Sequence, residues 1–414
     1  MAEIPKWYAG RSVLVTGGTG FMGKVLLEKL LRSCPDIRKV YILCRAKRGL
    51  TPKARLTEFS KLPVFERLRN ENPSQLSKLH IIEGDILQPN LGIKDQDILL
   101  LQEEVSIVFN GAASLKLEAE LKENVAANTK GTKQLLDMSL GMKKLVAFIH
   151  FSTAFCHPEQ QVLEEKLYPS PVNPHDVMRA MDWMDDETIK ALTPRTPQPT
   201  LVLNMSTNEI EPITWGEIIE RGKKLIMDYP FEAGLWFPNG QIRSNRFWHY
   251  FFVIFTQILP AYLVDFVMVL IRQKTFLVRV QNRIWLGMHL LEYFTTRNWD
   301  FKNKVCLSLH NNLSEKDKAI FFMDNVDHDI NKYMRDIILG ARQYCLKEPM
   351  SSLPKARRQI KFLYMLDKLG KAFILCLLGW LLIKTVFATK SFFDYLALSN
   401  KIPFVSTTPV LMRT

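Results

Sequence analysis

The first 150 residues alternate short apolar runs with amphipathic stretches. Five of the apolar runs are predicted strands, and they lie at residues 12–15, 39–44, 79–84, 105–110 and 146–151. Their positions are mostly apolar and do not alternate with polar ones, which is typical of strands that are buried on both faces. Apolar positions at helical spacing follow the first strand, and another helix is predicted at 123–138. This order predicts a doubly wound parallel α/β sheet of the Rossmann type.

The pattern changes after Cys156, where prolines recur up to Pro199. One helix is predicted inside this stretch at 176–192, and one more strand is predicted at 200–204. A Thr-x-x-Glu capping box at Thr214 begins the next helix, because its two side chains satisfy backbone donors of the first turn. Ser314 is expected to cap a later helix. Residues 245–347 are mainly of helical character, which predicts a mainly helical C-terminal domain.

Two long apolar segments raise the question of a membrane. The first, residues 250–271, is long enough to cross a bilayer but contains Pro260 and Asp265. A charge at the middle of a span costs about 2.5–3.5 kcal/mol. We therefore expect a buried or membrane-surface helix pair here in preference to a spanning helix.

The second apolar segment, residues 372–388, is interrupted only by Lys384, and its length of about 17 residues is short for a span. Six cations and a single acid, Asp367, precede it. These cations are Lys355, Arg357, Arg358, Lys361, Lys368 and Lys371. This combination predicts a C-terminal membrane segment with the N-terminal domain on the cytosolic side. The alternative is an amphipathic helix that docks on the protein's own core.

Length and composition narrow the class of protein. A chain of 414 residues with 47% hydrophobic residues is long enough for more than one domain, and we expect domains at 1–230, 245–347 and 355–395. No signal peptide is evident at the N-terminus. The six cysteines form no CxxC pair, which argues against zinc, any other metal and a disulfide framework, and favours a reducing compartment.

The net charge of +13 suits an anionic membrane surface or a polyanionic small molecule. A nucleic acid is the least favoured partner, since no nucleic-acid-binding motif is present. An ordinary solvated basic surface remains the alternative to all three.

The most informative motif is a glycine loop between the first predicted strand and its helix. Six of its residues are candidate cofactor ligands, and these are Thr16, Gly17, Gly20, Phe21, Met22 and Gly23. In this context the first glycine permits a tight turn, the second lets the backbone approach a pyrophosphate, and the third allows close helix packing. The N-terminus of the helix then offers backbone N–H groups to the pyrophosphate. A glycine pattern alone is also common in ordinary tight loops, so the flanking strand and helix carry the prediction.

The end of the second strand indicates which dinucleotide is bound. A site for NADH places an acidic residue there, but this chain has Arg45, Lys47 and Arg48. Because guanidinium groups bind phosphate in a bidentate fashion, these cations favour the 2′-phosphate of NADPH. Arg45 is the leading contact. The alternative is that all three are surface charges.

Three more strand ends supply candidate residues. Asp85 and Ile86 follow the third strand, where a carboxylate can reach the adenine. Asn110 ends the fourth strand and precedes small residues that let the backbone approach the cofactor, and Thr153 follows the fifth. Ligands of this architecture bind at the carboxyl edge of the sheet. Each of these segments is equally consistent with an ordinary tight connection.

Together with further segments, these motifs resemble those of a known family. The segments are TGGTGFMG at 16–23, NGAA at 110–113, FSTAF at 151–155, PITWGE at 212–217, EYFT at 292–295 and LGARQY at 339–344. The first three resemble the extended short-chain dehydrogenase/reductases. The whole set resembles the alcohol-forming fatty acyl-CoA reductases over about residues 10–370.

The resemblance implies two successive reductions, in which NADPH converts a long-chain acyl-CoA through an aldehyde to a primary alcohol. It also implies that Thr153 hydrogen-bonds the carbonyl oxygen, and that a Tyr-x-x-x-Lys pair donates the proton and holds the nicotinamide ribose. Only Tyr364 and Lys368 have that spacing, and local helix packing explains this match better. We therefore expect that an internal block of the Rossmann-type domain, catalytic pair included, is missing near residues 195–199 and that the sheet is incomplete.

Three functions remain open at this stage. They are a membrane-bound NADPH-dependent reductase, an inactive member that binds NADPH or lipid, and a non-enzymatic membrane scaffold. The expected partners are long-chain acyl-CoA and membrane lipid, with a homo-oligomer also considered. The C-terminal residues carry no retention or peroxisomal signal, and the endoplasmic reticulum is favoured over the peroxisomal membrane.

Overall fold

The computed structural model describes eleven stretches of the chain. These are residues 2–45, 52–116, 119–157, 159–170, 173–183, 203–206, 213–234, 237–238, 240–243, 245–321 and 329–399. Two compact units are present, the first formed by 1–212 with 256–325 and the second by 213–255 with 326–414.

The first unit is built on a five-stranded parallel sheet. Its strands are β1 (Ser12–Thr16), β2 (Lys39–Cys44), β3 (Leu79–Glu83), β4 (Val105–Asn110) and β5 (Ala147–His150). Their order is β3-β2-β1-β4-β5, and every neighbouring pair is parallel. The doubly wound Rossmann-type sheet predicted from the apolar runs is confirmed.

Apolar side chains cover both faces of this sheet. One buried cluster includes Val13, Val15 and Leu27, and the other includes Leu14 and Val108. The strands are therefore apolar at consecutive positions because alternate side chains enter two different layers of packing.

Helices of its N-terminal part and one small sheet also belong to the first unit. The helices are α1 (Glu3–Tyr8), α2 (Phe21–Ser33), α3 (Pro52–Ser60), α4 (Glu66–Glu71), α5 (Asp95–Glu104), α6 (Leu121–Asn124), α7 (Gly131–Leu140) and α8 (Pro174–Trp183). A π-helical turn, Val125–Lys130, joins α6 to α7, so the helix expected at 123–138 is present with this irregularity. Two short strands, β6 (Val162–Leu163) and β7 (Asp300–Phe301), pair in parallel away from the main sheet.

The rest of the described chain is mainly helical, as predicted. Its helices are α9 (Trp215–Asp228), α10 (Arg246–Val253), α11 (Leu259–Leu270), α12 (Leu277–Thr295), α13 (Lys304–Asn311), α14 (Glu315–Ile320), α15 (Ile330–Gly340) and α16 (Leu353–Ser399). The capping box at Thr214 and the cap at Ser314 are both formed.

The strand predicted at 200–204 and the helix predicted at 176–192 are only partly covered by the described residues. Of the strand predicted at 200–204, residues 200–202 lie outside the described residues, and Leu203 and Asn204 are not in a strand. The Asn204 side-chain amide donates 2.9 Å hydrogen bonds to the carbonyls of Leu163 and Lys302, at the ends of β6 and β7. The helix expected at 176–192 is observed to Trp183, and its remainder lies outside the described residues. The break expected near 195–199 also lies outside them.

One helix in the described part of the chain is long and apolar enough to cross a membrane. It is Arg246–Leu270, which comprises α10, a π-helical turn and α11, and 17% of its most apolar window is buried. Of the two alternatives predicted for this segment, a buried helix pair is not observed, because most of the window is exposed. A helix pair at a membrane surface, in preference to a span, stays a prediction. The C-terminal segment 372–388 is part of the continuous helix α16.

Candidate functional site

The glycine loop between β1 and α2 packs so closely that side chains are excluded. Gly17 has a φ of +69°, and a Cβ there would lie 2.4 Å from the carbonyl oxygen of Gly111. A Cβ on Gly23 would lie 2.4 Å from the carbonyl oxygen of Gly17. The loop is thus pressed against both its own helix and the chain that follows β4.

The N-terminus of α2 is open toward this loop. Its N-cap is Gly20, which has no side chain to bond the backbone N–H groups of the first turn. A Cβ on Gly20 would meet only the carbonyl oxygen of Gly17, at 3.2 Å. Phe21 and Met22 leave 80% and 66% of their surfaces exposed at the same point. Free N–H groups at a helix N-terminus bind phosphate, so a pyrophosphate fits this cradle.

A row of polar residues crosses the carboxyl edge of the sheet beside the cradle. Thr16, Asn110 and His150 are register partners on β1, β4 and β5. The Thr16 hydroxyl donates to Asn110 Oδ1 at 2.7 Å and accepts from the N–H groups of Gly111 and Ala112, both at 3.2 Å. The row therefore fixes the chain that lies against Gly17.

The hydrogen bonds of this row define the protonation of His150. The Thr132 hydroxyl donates to the Asn128 carbonyl at 2.8 Å, so it accepts from Asn110 Nδ2 at 3.3 Å. The same amide group faces His150 Nδ1 at 3.1 Å, which makes that nitrogen an acceptor. A neutral His150 ring in this arrangement carries its proton on Nε2, and partial burial lowers its pKa below the ordinary value.

Residues 111–116 after β4 are held by a second amide. Ser114 N–H donates to Asn128 Oδ1 at 2.7 Å, and Asn128 Nδ2 donates back to the Ser114 carbonyl at 3.1 Å. Asn128 lies in the π-helical turn Val125–Lys130, and such turns recur at functional sites. Asn128, Thr132 and His150 were not predicted from the sequence. Only the strand register could have indicated His150, two residues before Ser152.

The end of β2 carries one more cation than the sequence indicated. Arg45 follows the strand and is exposed. Arg55, on α3, donates to the Arg45 carbonyl and to Cys44 Sγ, the latter at 3.1 Å. The Arg55 guanidinium therefore lies at this strand end, against the backbone of Arg45. Lys47 and Arg48 lie outside the described residues.

Asp85 and Ile86 lie at the end of β3 as expected. One carboxylate oxygen of Asp85 accepts from Leu87 N–H at 3.1 Å, which closes a turn. Ile86 lies against the N-terminus of α7, where a Cβ on Gly131 would come within 2.9 Å of the Ile86 carbonyl oxygen. These contacts account for the tight connection, and Asp85 keeps one carboxylate oxygen without a described partner.

Thr153 is exposed beyond β5, and its Oγ1 accepts from Phe155 N–H at 3.2 Å. Its own hydroxyl proton therefore remains available to a ligand. By contrast, Tyr364 and Lys368 belong to the second unit, where the Tyr364 ring contacts Phe237 and the Lys368 ammonium lies 5.3 Å from the Tyr364 ring centroid. Their contacts are those of local helix packing, as expected.

In the described part of the chain, no group of three or more histidine, cysteine, aspartate or glutamate side chains could hold a metal ion.

Two family models match the chain. A model of an NAD-binding domain covers residues 15–206 and a model named Sterile covers 256–348, and both are described as male sterility protein. The first match contains the cradle, the polar row and Thr153, so the N-terminal part is an NAD(P)-binding domain.

Curated relatives match over nearly the whole chain. Fatty acyl-CoA reductase 1 of Gallus gallus is 28% identical over 92% of this chain and 93% of its own length. The Homo sapiens protein of the same name is 27% identical with the same coverage, and fatty acyl-CoA reductase 2 of Bos taurus is 26% identical over 87% and 90%. A solved terminal reductase domain from the myxalamid pathway is 27% identical over 40% of this chain and 38% of that chain, with a TM-score of 0.30. That overlap is too small to support an assignment.

In the alignment, this chain contributes fewer residues than its relative. The match to the Gallus gallus protein extends over 480 residues, whereas 92% of this 414-residue chain is about 381 residues. About 100 residues of the relative therefore have no counterpart here. The loss of a block near residues 195–199 stays a prediction. Both family models carry the same description and the curated relatives match over nearly the whole chain, so the chain belongs to the male sterility protein family, whose curated relatives here are named fatty acyl-CoA reductases.

Proposed function

We propose that the chain binds NADPH and reduces long-chain fatty acyl-CoA to a primary fatty alcohol. The observation that carries the proposal is the cradle formed by Gly17, Gly20 and Gly23, with Arg45 and Arg55 at the neighbouring strand end. The cradle fits a pyrophosphate, and two guanidinium groups suit a 2′-phosphate better than a 2′-hydroxyl. The curated relatives are named for the same acyl-CoA chemistry.

The chain's own residues divide the work at the carboxyl edge of the sheet. The cradle holds the dinucleotide, which supplies hydride when bound. The hydroxyl of Thr153 donates to the thioester oxygen and so stabilises the charge that develops there. The row of Thr16, Asn110 and His150 keeps the loop after β4 in place, and thereby the shape of the cradle.

A second function is favoured by the missing proton donor. The only Tyr-x-x-x-Lys pair in the sequence is Tyr364 and Lys368, which are engaged in local packing. Loss of a general acid costs on the order of 10²–10⁴ in rate. The second candidate is therefore a member that binds NADPH or lipid at a membrane without turnover.

A membrane location is part of the proposal. The basic residues 355–371 and the apolar segment 372–388 form a C-terminal anchor that leaves the NADPH-binding domain in the cytosol, at the endoplasmic reticulum in preference to the peroxisomal membrane. A membrane anchor suits a long-chain acyl-CoA substrate, because the acyl chain partitions into the same bilayer.

Two measurements on the detergent-purified full chain separate the candidates. NADPH binding is followed by fluorescence, and fatty alcohol from palmitoyl-CoA and NADPH is measured beside an intact relative as the positive control. Binding with alcohol supports the reductase, and Thr153→Val should then reduce turnover while leaving NADPH binding unchanged. NADPH binding without alcohol supports the inactive member. Absence of NADPH binding contradicts the reductase and leaves, of the second candidate, only a member that binds lipid.

A further inference from the structure

The helices α11 and α12 form an antiparallel pair that we name the apolar hairpin, residues 259–295. Asp265 on α11 accepts hydrogen bonds from the N–H groups of Phe276, Leu277 and Val278 at 3.0–3.2 Å, and so caps the N-terminus of α12. Gln281 Nε2 donates to Gln257 Oε1 at 2.9 Å further along the pair. Asp265, whose charge argued against a membrane span, is thus hydrogen-bonded within the hairpin.

Most of the hairpin's apolar surface has no cover within the described structure. On α11 only Ala261 and Asp265 are buried, and most of its large apolar side chains are exposed. The exposed ones on the hairpin include Leu259, Tyr262, Leu263, Phe266, Val267, Val269, Leu270, Ile284, Trp285, Met288 and Leu291. A helix that is apolar on nearly all sides belongs in a protein core or in lipid.

The charge of the hairpin indicates which occupant covers it. Its sequence contains four cations, Arg272, Lys274, Arg279 and Arg283, all in the turn or the first half of α12. It contains two acids, of which Asp265 is consumed as the cap and Glu292 lies 3.3 Å from His289. Apolar surface flanked by an excess of cations matches an anionic lipid surface.

The hairpin cannot enter the bilayer as a spanning pair. If α11 crossed the membrane, α12 would return beside it and carry Arg279, Arg283 and His289 into the hydrocarbon. Each charged residue there is strongly unfavourable, and α12 is not among the described helices that are apolar enough to cross. A flat position leaves the cations at the headgroups and the apolar side chains in the acyl region.

We propose that the apolar hairpin is a monotopic docking surface that lies flat in the headgroup region of an anionic bilayer. It is a second membrane contact, separate from the C-terminal segment and independent of catalytic turnover. By this contact the first unit, which holds the NADPH cradle, is itself held at the membrane surface.

Environment-sensitive fluorophores on the full chain test this position. Single cysteines replace Leu259, Leu270 or Ile284 in a background where the exposed Cys156, Cys345 and Cys376 are serine. A matched control is Leu99→Cys, because Leu99 is an equally exposed leucine on α5. Depth is measured with lipid-attached quenchers in phosphatidylcholine vesicles with and without phosphatidylserine.

The three hairpin probes should become shielded at the same shallow depth, while the probe at residue 99 stays in water. The shielding should weaken without phosphatidylserine, and also in a variant with Arg272, Lys274, Arg279 and Arg283 changed to glutamine. A spanning helix would instead separate residues 259 and 270 by about 16 Å in depth, at 1.5 Å per residue. That result, or shielding already present without vesicles because a protein surface covers the hairpin, would overturn the proposal.

Discussion

The glycine cradle of the NAD(P)-binding domain and the apolar hairpin differ in which groups they bury and which they expose. In the cradle, apolar strands are buried, and backbone N–H groups of the first turn of α2 are offered to a ligand beside the exposed Phe21 and Met22. In the hairpin, the polar group Asp265 is buried and the surface offered is apolar. The contrast shows that each region exposes the chemistry of its proposed partner, a charged dinucleotide in one case and lipid in the other.

The two helical glycines of these regions give the largest expected difference. Gly23→Ala places a Cβ against the backbone of Gly17, and relief of that overlap costs about 1–3 kcal/mol. NADPH affinity should therefore fall on the order of 10- to 100-fold. The matched change Gly287→Ala, on α12, meets nothing within 4 Å and should raise the free energy of unfolding by about 0.5–1 kcal/mol.

Both effects are measured on the same protein preparations, affinity by titration with NADPH and stability by urea unfolding. If Gly23→Ala binds NADPH like the unmodified chain, the cradle is not the cofactor site. If Gly287→Ala destabilises the protein, the space around that glycine is filled and the hairpin is not open.

The buried polar anchors of the two regions provide the next contrast. Asn110→Ala leaves the Thr16 hydroxyl without its acceptor, at a cost of about 1–3 kcal/mol, and should weaken NADPH binding as well as stability. Asp265→Ala removes the cap of α12 at a cost of about 0.5–2 kcal/mol. It should leave NADPH affinity unchanged. Equal losses of NADPH affinity in both variants would show that the cradle depends on the hairpin.

The cations at the end of β2 are tested for their effect on the choice between NADPH and NADH. The double variant Arg45→Gln, Arg55→Gln should reduce NADPH affinity about tenfold and NADH affinity little, because only NADPH carries the 2′-phosphate. Arg38→Gln, near the opposite end of the same strand, is the control, and there Arg38 pairs with Glu104 at 3.0 Å. A parallel loss for both dinucleotides would assign these arginines a structural role.

The sequence predicted the cradle better than the hairpin for a physical reason. The spacing of the glycines and the apolar periodicity of the strands are local features, so they can be recognised in a single sequence. This applies to Gly17, Gly20, Gly23 and the buried strands. Neither the approach of Arg55 to Cys44 nor the cap that Asp265 gives to α12 is such a local feature, because each joins separate elements. In the sequence, Asp265 is an unfavourable charge inside an apolar segment. Its role as the cap of α12 is visible only when the position of that helix is known.

The smallest expected effect concerns pH and His150. Its Nδ1 accepts from Asn110, so protonation would replace the acceptor by a donor facing a donor. The pKa of His150 is lowered in the fold by partial burial, so the unfolded chain takes up the proton first, near the ordinary pKa of about 6.5. Stability is thus full above that pH and falls as the pH drops toward the lowered value. The hydrogen bond at stake contributes about 0.5–1.5 kcal/mol.

His150→Asn keeps an acceptor without a titrating group, so the urea midpoint should vary less with pH in this variant than in the unmodified chain. The same difference should appear in NADPH affinity but not in the lipid shielding of the hairpin probes, because the row of Thr16, Asn110 and His150 acts on the loop against Gly17 alone. Identical pH profiles for the two proteins would show that His150 does not support the cradle.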